Sequence, residues 1–213
     1  MCKICGSLTK SVKINQINYE FCENCGFLCK TDEFILSSKD EFKRYLNHNN
    51  SNNEGYVKYQ ENFFHEIHRF LGKKVLDYGC GDNHILAEIL VENGFDAMYY
   101  DLYFYPEEKY KKHLYDAIIL EEVIEHLKDP ISILADLIPL VDKGGKIIIR
   151  TNFIPTNVFD GKWWYLRDTT HISFFDFKTF KYISNLLPMT IIHCNDKDLI
   201  IFEKEWFFDL TYC

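Results

Sequence analysis

The sequence predicts an α/β fold with a doubly wound, mostly parallel sheet and a small N-terminal cysteine ribbon. From residue 73 onward, short apolar runs alternate with amphipathic stretches, and five of the eight cysteines fall within the first 30 residues. Strands that alternate with helices form a largely parallel sheet covered by helices on both faces. A chain of 213 residues suffices for one domain of ordinary size with a small appendage.

The acidic and apolar composition narrows the class of protein. Hydrophobic residues make up 47% of the chain, which excludes wholesale disorder. The formal net charge of −8 disfavours a broad phosphate-binding face, so we do not expect a nucleic-acid partner. The one basic cluster, Lys109–Lys112, is short.

The chain lacks the sequence signals of export and membrane insertion. No run reaches the roughly 18 apolar residues that span a bilayer. The start, Met1–Cys5, has no uninterrupted apolar stretch of the kind found in signal peptides. We therefore expect a soluble, cytoplasmic protein with no membrane span. In a reducing compartment, eight cysteines favour metal binding or free thiols over disulfides.

The N-terminal cysteines have the spacing of a zinc site. Two C-x2-C pairs, each followed by a glycine, are separated by sixteen residues: Cys2, Cys5, Cys22 and Cys25. Four thiolates at this spacing hold zinc tetrahedrally, and the metal supplies much of the local folding energy. The spacing favours a structural zinc clip over a ribbon that reads nucleic acid or protein. Cys29 leaves an alternative ligand set open.

The predicted elements follow from apolar runs and their caps. The predicted strands are Lys74–Asp77, Ala97–Tyr100, Ala117–Leu120, Lys146–Arg150, Thr190–Cys194 and Leu199–Glu203. One helix starts near Ile85 and stops at Gly94. A second starts at Asp129-Pro130, bends at Pro139 and ends at Gly144-Gly145. A third lies between Asp176 and Pro188.

The organisation along the chain has three parts. Residues 1–30 carry the cysteine knuckles, and residues 31–72 form a polar, helix-prone segment that we expect to cover a ligand site. An Asn-rich loop over residues 48–55 interrupts this segment. Residues 73–213 form the α/β domain.

A glycine loop follows the first strand of the α/β domain. Gly79 and Gly81 lie where a doubly wound sheet binds ligands, and Asp101 ends the next strand twenty residues after Gly81. A dinucleotide fingerprint needs a third glycine where this chain has His84. The loop is thus a poor pyrophosphate cradle, and an adenosine-type ligand without a diphosphate fits. The alternative is a tight turn followed by an ordinary surface aspartate.

Five segments, which include the glycine loop and Asp101, together resemble the motifs of a known family. Val75–Gly81 and Tyr100–Leu102 resemble the first two motifs of the class I S-adenosylmethionine-dependent methyltransferases, which have a Rossmann-like fold. Tyr115–Leu127 resembles the fourth-strand motif of the ubiquinone-type branch. The segments Arg44–Tyr56 and Trp163–Phe175 are similar to the early and late motifs of a bacterial subfamily. The stretch between Asp101 and Asp116 departs from the family, because it has little room for a helix and a third strand.

The resemblance implies a role for each matched residue. The expected cofactor-binding residues are Asp77, Tyr78, Gly79, Cys80, Gly81, Asp101, Leu102, Glu121 and Glu122. Among them, Asp77 would orient the loop and Asp101 would hold the ribose hydroxyls. Glu121 and Glu122 would lie beside the transferring methyl group.

The catalytic candidates are His171 and Tyr165. His171 would take a proton from the acceptor, since its pKa range suits a base; alternatively it fixes its loop through a backbone carbonyl. Tyr165 and Asp168 either contact the substrate or belong to an aromatic surface loop, and Trp163-Trp164 form a lid or pack in the core.

A second metal site is a further alternative. At helical spacing, Glu122 would lie beside Glu125 and His126 on one face, and in ubiquinone-type relatives this pattern can hold a divalent ion.

These observations predict an S-adenosylmethionine-dependent methyltransferase. The expected substrate is a small molecule, a sugar, a quinone-like compound or another metabolite, methylated on an O or C nucleophile. Two alternatives remain: an RNA or protein methyltransferase that grips its substrate with the ribbon, and a non-catalytic binding module. The sequence specifies neither the acceptor nor the oligomeric state.

Overall fold

A computed structural model describes residues 1–46 and 54–205 of the chain. Its strands are β1 (Lys10–Ile14), β2 (Ile17–Phe21), β3 (Leu28–Lys30), β4 (Lys74–Tyr78), β5 (Asp96–Tyr100), β6 (Tyr115–Glu121), β7 (Val141–Arg150), β8 (Ser173–Phe174), β9 (Met189–Cys194) and β10 (Leu199–Lys204). Its α-helices are α1 (Ser38–Leu46), α2 (Glu54–Ile67), α3 (Ile85–Glu92), α4 (Pro130–Leu137) and α5 (Phe177–Leu186). Residues 48–53 of the predicted Asn-rich loop, which are also part of the early motif, lie outside the described residues. Glu54 and Gly55, predicted as the end of that loop, instead begin α2.

The larger sheet is mostly parallel and has the order β5-β4-β6-β7-β10-β9. β5, β4, β6 and β7 run parallel, while β10 pairs antiparallel with both β7 and β9. The predicted fold class is thereby confirmed. After β5 the chain makes only a 3₁₀ helix, Glu108–Lys112, before it enters β6, so β5 is the edge of the sheet. The short stretch between Asp101 and Asp116 therefore does lack a further strand.

Alternate residues of the central strands pack on opposite faces of the sheet, as the two-residue period of a strand requires. On one face, Ile118 and Leu120 of β6 pack with apolar residues of α4 and α5. On the other face, Ala117 and Ile119 pack with those of α2 and α3. The result is a sheet buried between two layers of helices, which explains the near-continuous apolar runs of its strands.

Three helices begin with side-chain caps that the sequence contains. The Asp129 carboxylate accepts from the Ser132 amide at 3.1 Å, and Pro130 occupies the first turn of α4. Asp176 forms a capping box with Thr179 at the start of α5. Ser37 precedes α1 and accepts from the Asp40 amide at 3.2 Å. Each cap satisfies an amide that the helix itself leaves unpaired.

The prediction that Gly144-Gly145 ends the second helix is wrong. α4 ends at Leu137, a 3₁₀ turn containing Pro139 follows, and both glycines lie within β7. The pairing of β6 with β7 shifts register at this point, and Gly144 has a φ of +69°. The glycines thus permit an irregular strand. In the sequence alone, such a glycine pair resembles the end of a helix.

The cysteine-bearing segment forms an antiparallel sheet that continues into the α/β domain. Its order is β1-β2-β3-β8, so its last strand comes from residues far along the chain. Leu28 of β3 shares a buried cluster with Tyr165 and Phe174. The hydroxyl of Thr179 in α5 donates to the Cys25 carbonyl at 2.9 Å. The boundaries at residues 30 and 72 stay predictions.

None of the helices in residues 1–46 and 54–205 combines the length and the apolar character needed to cross a membrane.

Candidate active site

A cavity of about 830 Å³ lies at the carboxyl ends of β4, β5 and β6, partly roofed by α1 and α2. Every predicted cofactor-binding residue except Asp77 lines it: Tyr78, Gly79, Cys80, Gly81, Asp101, Leu102, Glu121 and Glu122. Both predicted catalytic residues, His171 and Tyr165, line it as well. The volume is within the range of small-molecule sites, roughly 300–1,000 Å³.

The glycine loop requires both of its glycines. Gly79 has a φ of +87°, and a β-carbon there would lie 2.4 Å from a methyl group of Val123. Its amide donates to the Tyr100 carbonyl at 2.7 Å, which ties the loop to the end of β5. Gly81 has a φ of +70° and open space where a β-carbon would stand. The loop backbone at Gly81 is therefore accessible to a ligand.

The Asp101 carboxylate already accepts hydrogen bonds from three nearby backbone amides. Its Oδ1 accepts from the amides of Tyr103 at 2.8 Å and Phe104 at 3.1 Å. Its Oδ2 accepts from the Gly81 amide at 3.1 Å. A carboxylate has about four acceptor positions, so one position on Oδ2 remains for a ligand hydroxyl. Asp101 thus holds the glycine loop in addition to the ligand role that the sequence predicts.

Asp77 lies beneath the loop and is buried. Burial raises the pKa of its carboxyl to about 7, and the neighbouring negative charge of Asp101 contributes. A hydrogen bond with the backbone of Ala87 in α3 acts in the opposite direction. Asp77 therefore joins the end of β4 to the first turn of α3 and shapes the cavity without lining it.

Glu121 is buried at the end of β6. Burial raises the pKa of its carboxyl to about 8, while a hydrogen bond from Gln60 and the charge of Arg150 lower it. Arg150 Nη1 lies 4.0 Å from Glu121, and Arg150 Nη2 lies 2.6 Å from Glu66 of α2. The guanidinium also stands 4.3 Å from the centre of the Phe63 ring. This network fixes α2 against the carboxyl end of the sheet.

Glu122 faces the hydroxyl of Tyr165. Glu122 has a φ of +51°, a backbone conformation that is costly for a residue with a β-carbon. The Tyr165 hydroxyl lies 2.8 Å from Glu122 Oε2, also contacts Glu125 Oε1, and is 3.2 Å from the Thr151 hydroxyl. One phenolic proton cannot serve two carboxylates, so the cluster needs a further proton. Burial, and then the charge of Glu122, raise the pKa of Glu125, which is 0% exposed, and so favour its protonated form.

Tyr165 itself is 1% exposed, so the alternative of a surface residue is wrong. Burial and the two glutamates raise the pKa of its hydroxyl far above the usual range. The phenol therefore keeps its proton at neutral pH, which suits a residue that holds the two carboxyl groups. Trp163 packs against Tyr165 and Phe174, whereas Trp164 is 59% exposed at the cavity.

His171 is buried, and its Nδ1 lies 3.0 Å from the Tyr165 carbonyl oxygen. A carbonyl only accepts, so Nδ1 carries the proton and Nε2 is the nitrogen that accepts one. This contact fixes the loop, as one of the two interpretations of His171 requires. The other interpretation, a base, stays a prediction.

The structure groups different residues from those predicted for a second metal site. Glu122–His126 is not an α-helix, because Glu122 has a positive φ and Ile124–His126 form a 3₁₀ turn. Within the described chain, Glu125, His126 and His171 come together instead, with ligand atoms within 4.8 Å of one another. His126 Nδ1 meets the Thr170 carbonyl at 3.1 Å, and Glu125 is paired with Tyr165. The second-metal alternative stays a prediction, with His171 rather than Glu122 beside Glu125 and His126.

Several cavity residues were not among the predicted site residues. Tyr103 donates to the Glu41 carboxylate at 2.5 Å and so joins the turn after β5 to α1, within which Tyr45 donates to the same carboxylate at 3.2 Å. Tyr56, Tyr59 and Gln60 of α2 line the opposite side. The early motif contains Tyr56, and helical spacing from it could have indicated the other two.

The four predicted cysteines converge at the far end of the ribbon. The sulfur atoms of Cys2 and Cys25 are 3.5 Å apart, those of Cys5 and Cys22 are 3.4 Å apart, and all four lie within 4.8 Å of one another. A disulfide needs about 2.05 Å. Tetrahedral zinc with bonds of about 2.3 Å places its sulfurs about 3.8 Å apart. The donor set therefore fits zinc, and Cys29 is outside it.

Comparisons with known proteins agree with this geometry. A family model described as "Methyltransferase domain" matches residues 56–184. Ubiquinone biosynthesis O-methyltransferases of Citrobacter koseri and Salmonella arizonae are each 33% identical over 104 residues, covering 38% of this chain and 43% of the relative. The chain thus spans less than half of these curated relatives.

Solved structures show the same fold at low identity. An O-methyltransferase family protein from Burkholderia thailandensis superposes with a TM-score of 0.54 and 10% identity, covering 78% of this chain and 63% of that one. Magnesium protoporphyrin IX methyltransferase from Synechocystis, with bound S-adenosylhomocysteine, gives 0.52 and 13%, covering 82% and 97%. The fold is that of the class I methyltransferases. Since the matched family region spans more than half of the chain, the protein belongs to the methyltransferase domain family.

Proposed function

We propose that this protein transfers a methyl group from S-adenosylmethionine to an O or C nucleophile of a small molecule. One observation carries the proposal: the glycine loop, Asp101, Glu122 and His171 all face one cavity at the carboxyl ends of the strands. A doubly wound sheet binds its ligands at this edge. The sugar, quinone-like and other metabolite classes of acceptor are the candidates for a screen.

The cofactor end of the cavity would be formed by the loop and by Asp101. The open backbone at Gly81 allows close approach, and the remaining acceptor position of Asp101 suits a ribose hydroxyl. The methyl group would be supplied on a sulfonium, which is a good leaving group. The Glu122 carboxylate, whose ionised form the Tyr165 hydroxyl stabilises, would give this region a negative group that suits a cation.

The acceptor end would be formed by Glu122, Tyr165 and His171. His171, with its Nδ1 proton held by the Tyr165 carbonyl, presents Nε2 as the proton acceptor for a hydroxyl substrate. Tyr165 would hold Glu122 and Glu125 in place and would not act as the base. Since methyl transfer needs mainly in-line positioning, this arrangement suffices without a covalent intermediate.

The four cysteines would hold one structural zinc ion. The convergence of their sulfur atoms supports this, as does the burial of Cys2, Cys22 and Cys25; Cys5 is half-buried. Burial raises the pKa of Cys2 and of Cys25, so these two sulfurs need a cation beside them to ionise. The role of zinc here is to fold the knuckles rather than to take part in methyl transfer.

The deciding experiment is calorimetric titration of the purified protein with S-adenosylmethionine, with NAD as the control ligand. We expect micromolar binding of the first and none of the second. Asp101→Ala should weaken binding at least tenfold, whereas Asp96→Ala should leave it unchanged, because Asp96 is exposed at the opposite end of β5, the strand that Asp101 follows. Turnover is then measured as transfer of labelled methyl groups to the acceptor classes above. Absence of S-adenosylmethionine binding by folded, zinc-loaded protein would refute the proposal and favour a non-catalytic binding module.

A further inference from the structure

Lys30 is buried, and its ammonium group has no part in the proposed reaction. It ends β3 in the cysteine-bearing sheet and is only 3% exposed. Its Nζ donates to the backbone carbonyls of Thr169 at 3.1 Å and Asp168 at 3.3 Å. Burying a lysine is costly unless its donors are satisfied, so these two contacts determine where its side chain lies.

The two carbonyls belong to a turn, residues 168–171, that enters the cavity. The Asp168 carboxylate accepts from the Thr170 amide at 2.9 Å and from the Thr170 hydroxyl at 2.6 Å. It also accepts from Arg44 of α1 at 3.1 Å. Asp168 and His171 both line the cavity. Lys30 therefore contacts the 168–171 turn on the side that faces the ribbon, while His171 of the same turn faces the cavity.

The same turn is tied to the end of β6. The Thr170 carbonyl meets His126, and the Ile172 amide donates to the Glu125 carbonyl at 2.8 Å. On the ribbon side, the Lys30 amide donates to the Ile172 carbonyl, also at 2.8 Å. Ile172 is thus held by the ribbon and by the active-site turn together.

The second cysteine knuckle lies directly before β3, the strand that ends at Lys30. β3 begins three residues after Cys25, and the Cys22 amide donates to the Phe27 carbonyl at 2.8 Å. Only Gly26 and Phe27 separate the second cysteine pair from β3. A metal that fixes the knuckle therefore fixes the origin of the strand that carries Lys30.

We propose that Lys30 is a positioning residue through which the four-cysteine site orders the 168–171 turn and the His171 side chain. This inference rests on the proposed function for its catalytic consequence, but its structural part stands without it. In this arrangement the ribbon is a support of the active site rather than a clip at one end of the domain.

The test compares three variants by amide hydrogen exchange, zinc content and S-adenosylmethionine affinity. Lys30→Met removes both donors, Lys30→Arg retains a cation with donors, and Lys13→Met makes the same change at an exposed position of β1. We expect Lys30→Met to keep its zinc and to exchange the amides of residues 170–172 about tenfold faster. Lys30→Arg should restore slow exchange, and Lys13→Met should behave as wild type. Unchanged exchange in Lys30→Met would overturn the proposal.

A chelation experiment on the wild-type chain keeps the proposal testable if Lys30→Met does not fold. Removal of zinc should accelerate exchange in residues 170–172 while β4 and β6 stay protected. If those amides are unaffected, the coupling does not exist.

Turnover adds a readout that general destabilisation would not give. Once an acceptor is found, Lys30→Met should lower kcat about tenfold, with the Kd for S-adenosylmethionine unchanged within about twofold. A fall in kcat accompanied by an equal loss of S-adenosylmethionine affinity would contradict a positioning role. Failure of wild type to bind S-adenosylmethionine would refute the proposed function and leave the exchange result interpretable.

Discussion

The hydroxyl of Tyr165 lies 2.8 Å from Glu122 Oε2, and this contact joins the turn before Asp168 to the carboxyl end of β6. The two residues are 43 positions apart in the sequence, yet both line the acceptor end of the cavity. The contact pairs a phenol that keeps its proton with a carboxyl group whose pKa burial raises. It follows that the hydroxyl stabilises the ionised form of Glu122 and sets its orientation.

Tyr165→Phe tests this relationship. The variant leaves Glu122 and Glu125 buried without their shared donor, so we expect a loss of about 1–3 kcal/mol in the free energy of unfolding. Turnover should fall about tenfold or more, because Glu122 loses its fixed orientation, while calorimetry should give an unchanged Kd for S-adenosylmethionine. Tyr182→Phe, which removes an exposed hydroxyl contact to Asn24, is the control. Full activity in Tyr165→Phe would show that the hydroxyl is dispensable.

Gly79→Ala should be the most damaging of the glycine substitutions. Its new methyl group would meet Val123, in addition to the cost of a φ of +87°. Gly94→Ala is a matched control, because Gly94 has a φ of +86° and open space around it. We expect about 1 kcal/mol of destabilisation for Gly94→Ala and a further loss of about 1–3 kcal/mol for Gly79→Ala. Urea unfolding measures both, and equal values would contradict the predicted steric conflict.

Asp168 should make stability depend on acidic pH. Burial opposes its ionisation, but hydrogen bonds from Thr170, the charge that His171 carries once it is protonated at acidic pH, and the charge of Arg44 outweigh burial and lower the pKa to about 2. A depressed carboxyl pKa contributes stability that is present above the ordinary value and is lost as the pH falls through the folded value. Asp168→Asn should therefore cost about 1–2 kcal/mol at pH 7, and its difference from wild type should shrink between about pH 4 and pH 2. A difference that stays constant over this range would contradict the assignment.

Zinc stoichiometry distinguishes the ligand set. Cys22→Ser should abolish stoichiometric zinc, because three thiolates bind it far less tightly than four, and should unfold the knuckles. Cys29→Ser should retain one zinc per chain, since Cys29 is outside the group of converging sulfurs. Elemental analysis of both purified variants measures this. Zinc loss in Cys29→Ser would assign the ligands differently, and zinc-free wild-type protein would remove the site altogether.

Local signals in the chain were sufficient for most of the elements. Asp129 and Asp176 cap the helices that their positions predict, and the apolar run before Arg150 is the end of a buried strand. Gly144-Gly145 gave a wrong prediction of a helix end, because a glycine pair is compatible both with a helix end and with an irregular strand. Pairing with β6, a long-range contact, decides between the two.

The sequence by itself determined the mostly parallel sheet, the glycine loop with Asp101 and the cysteine spacing, because each depends on residues that are close along the chain. Only the tertiary structure decided that Tyr165 faces Glu122 and Glu125, that His171 joins His126, and that Lys30 lies behind the 168–171 turn. Those contacts join segments 40 to 139 residues apart. Their geometry follows from how β3, β6 and β8 are placed by packing, which no local pattern encodes.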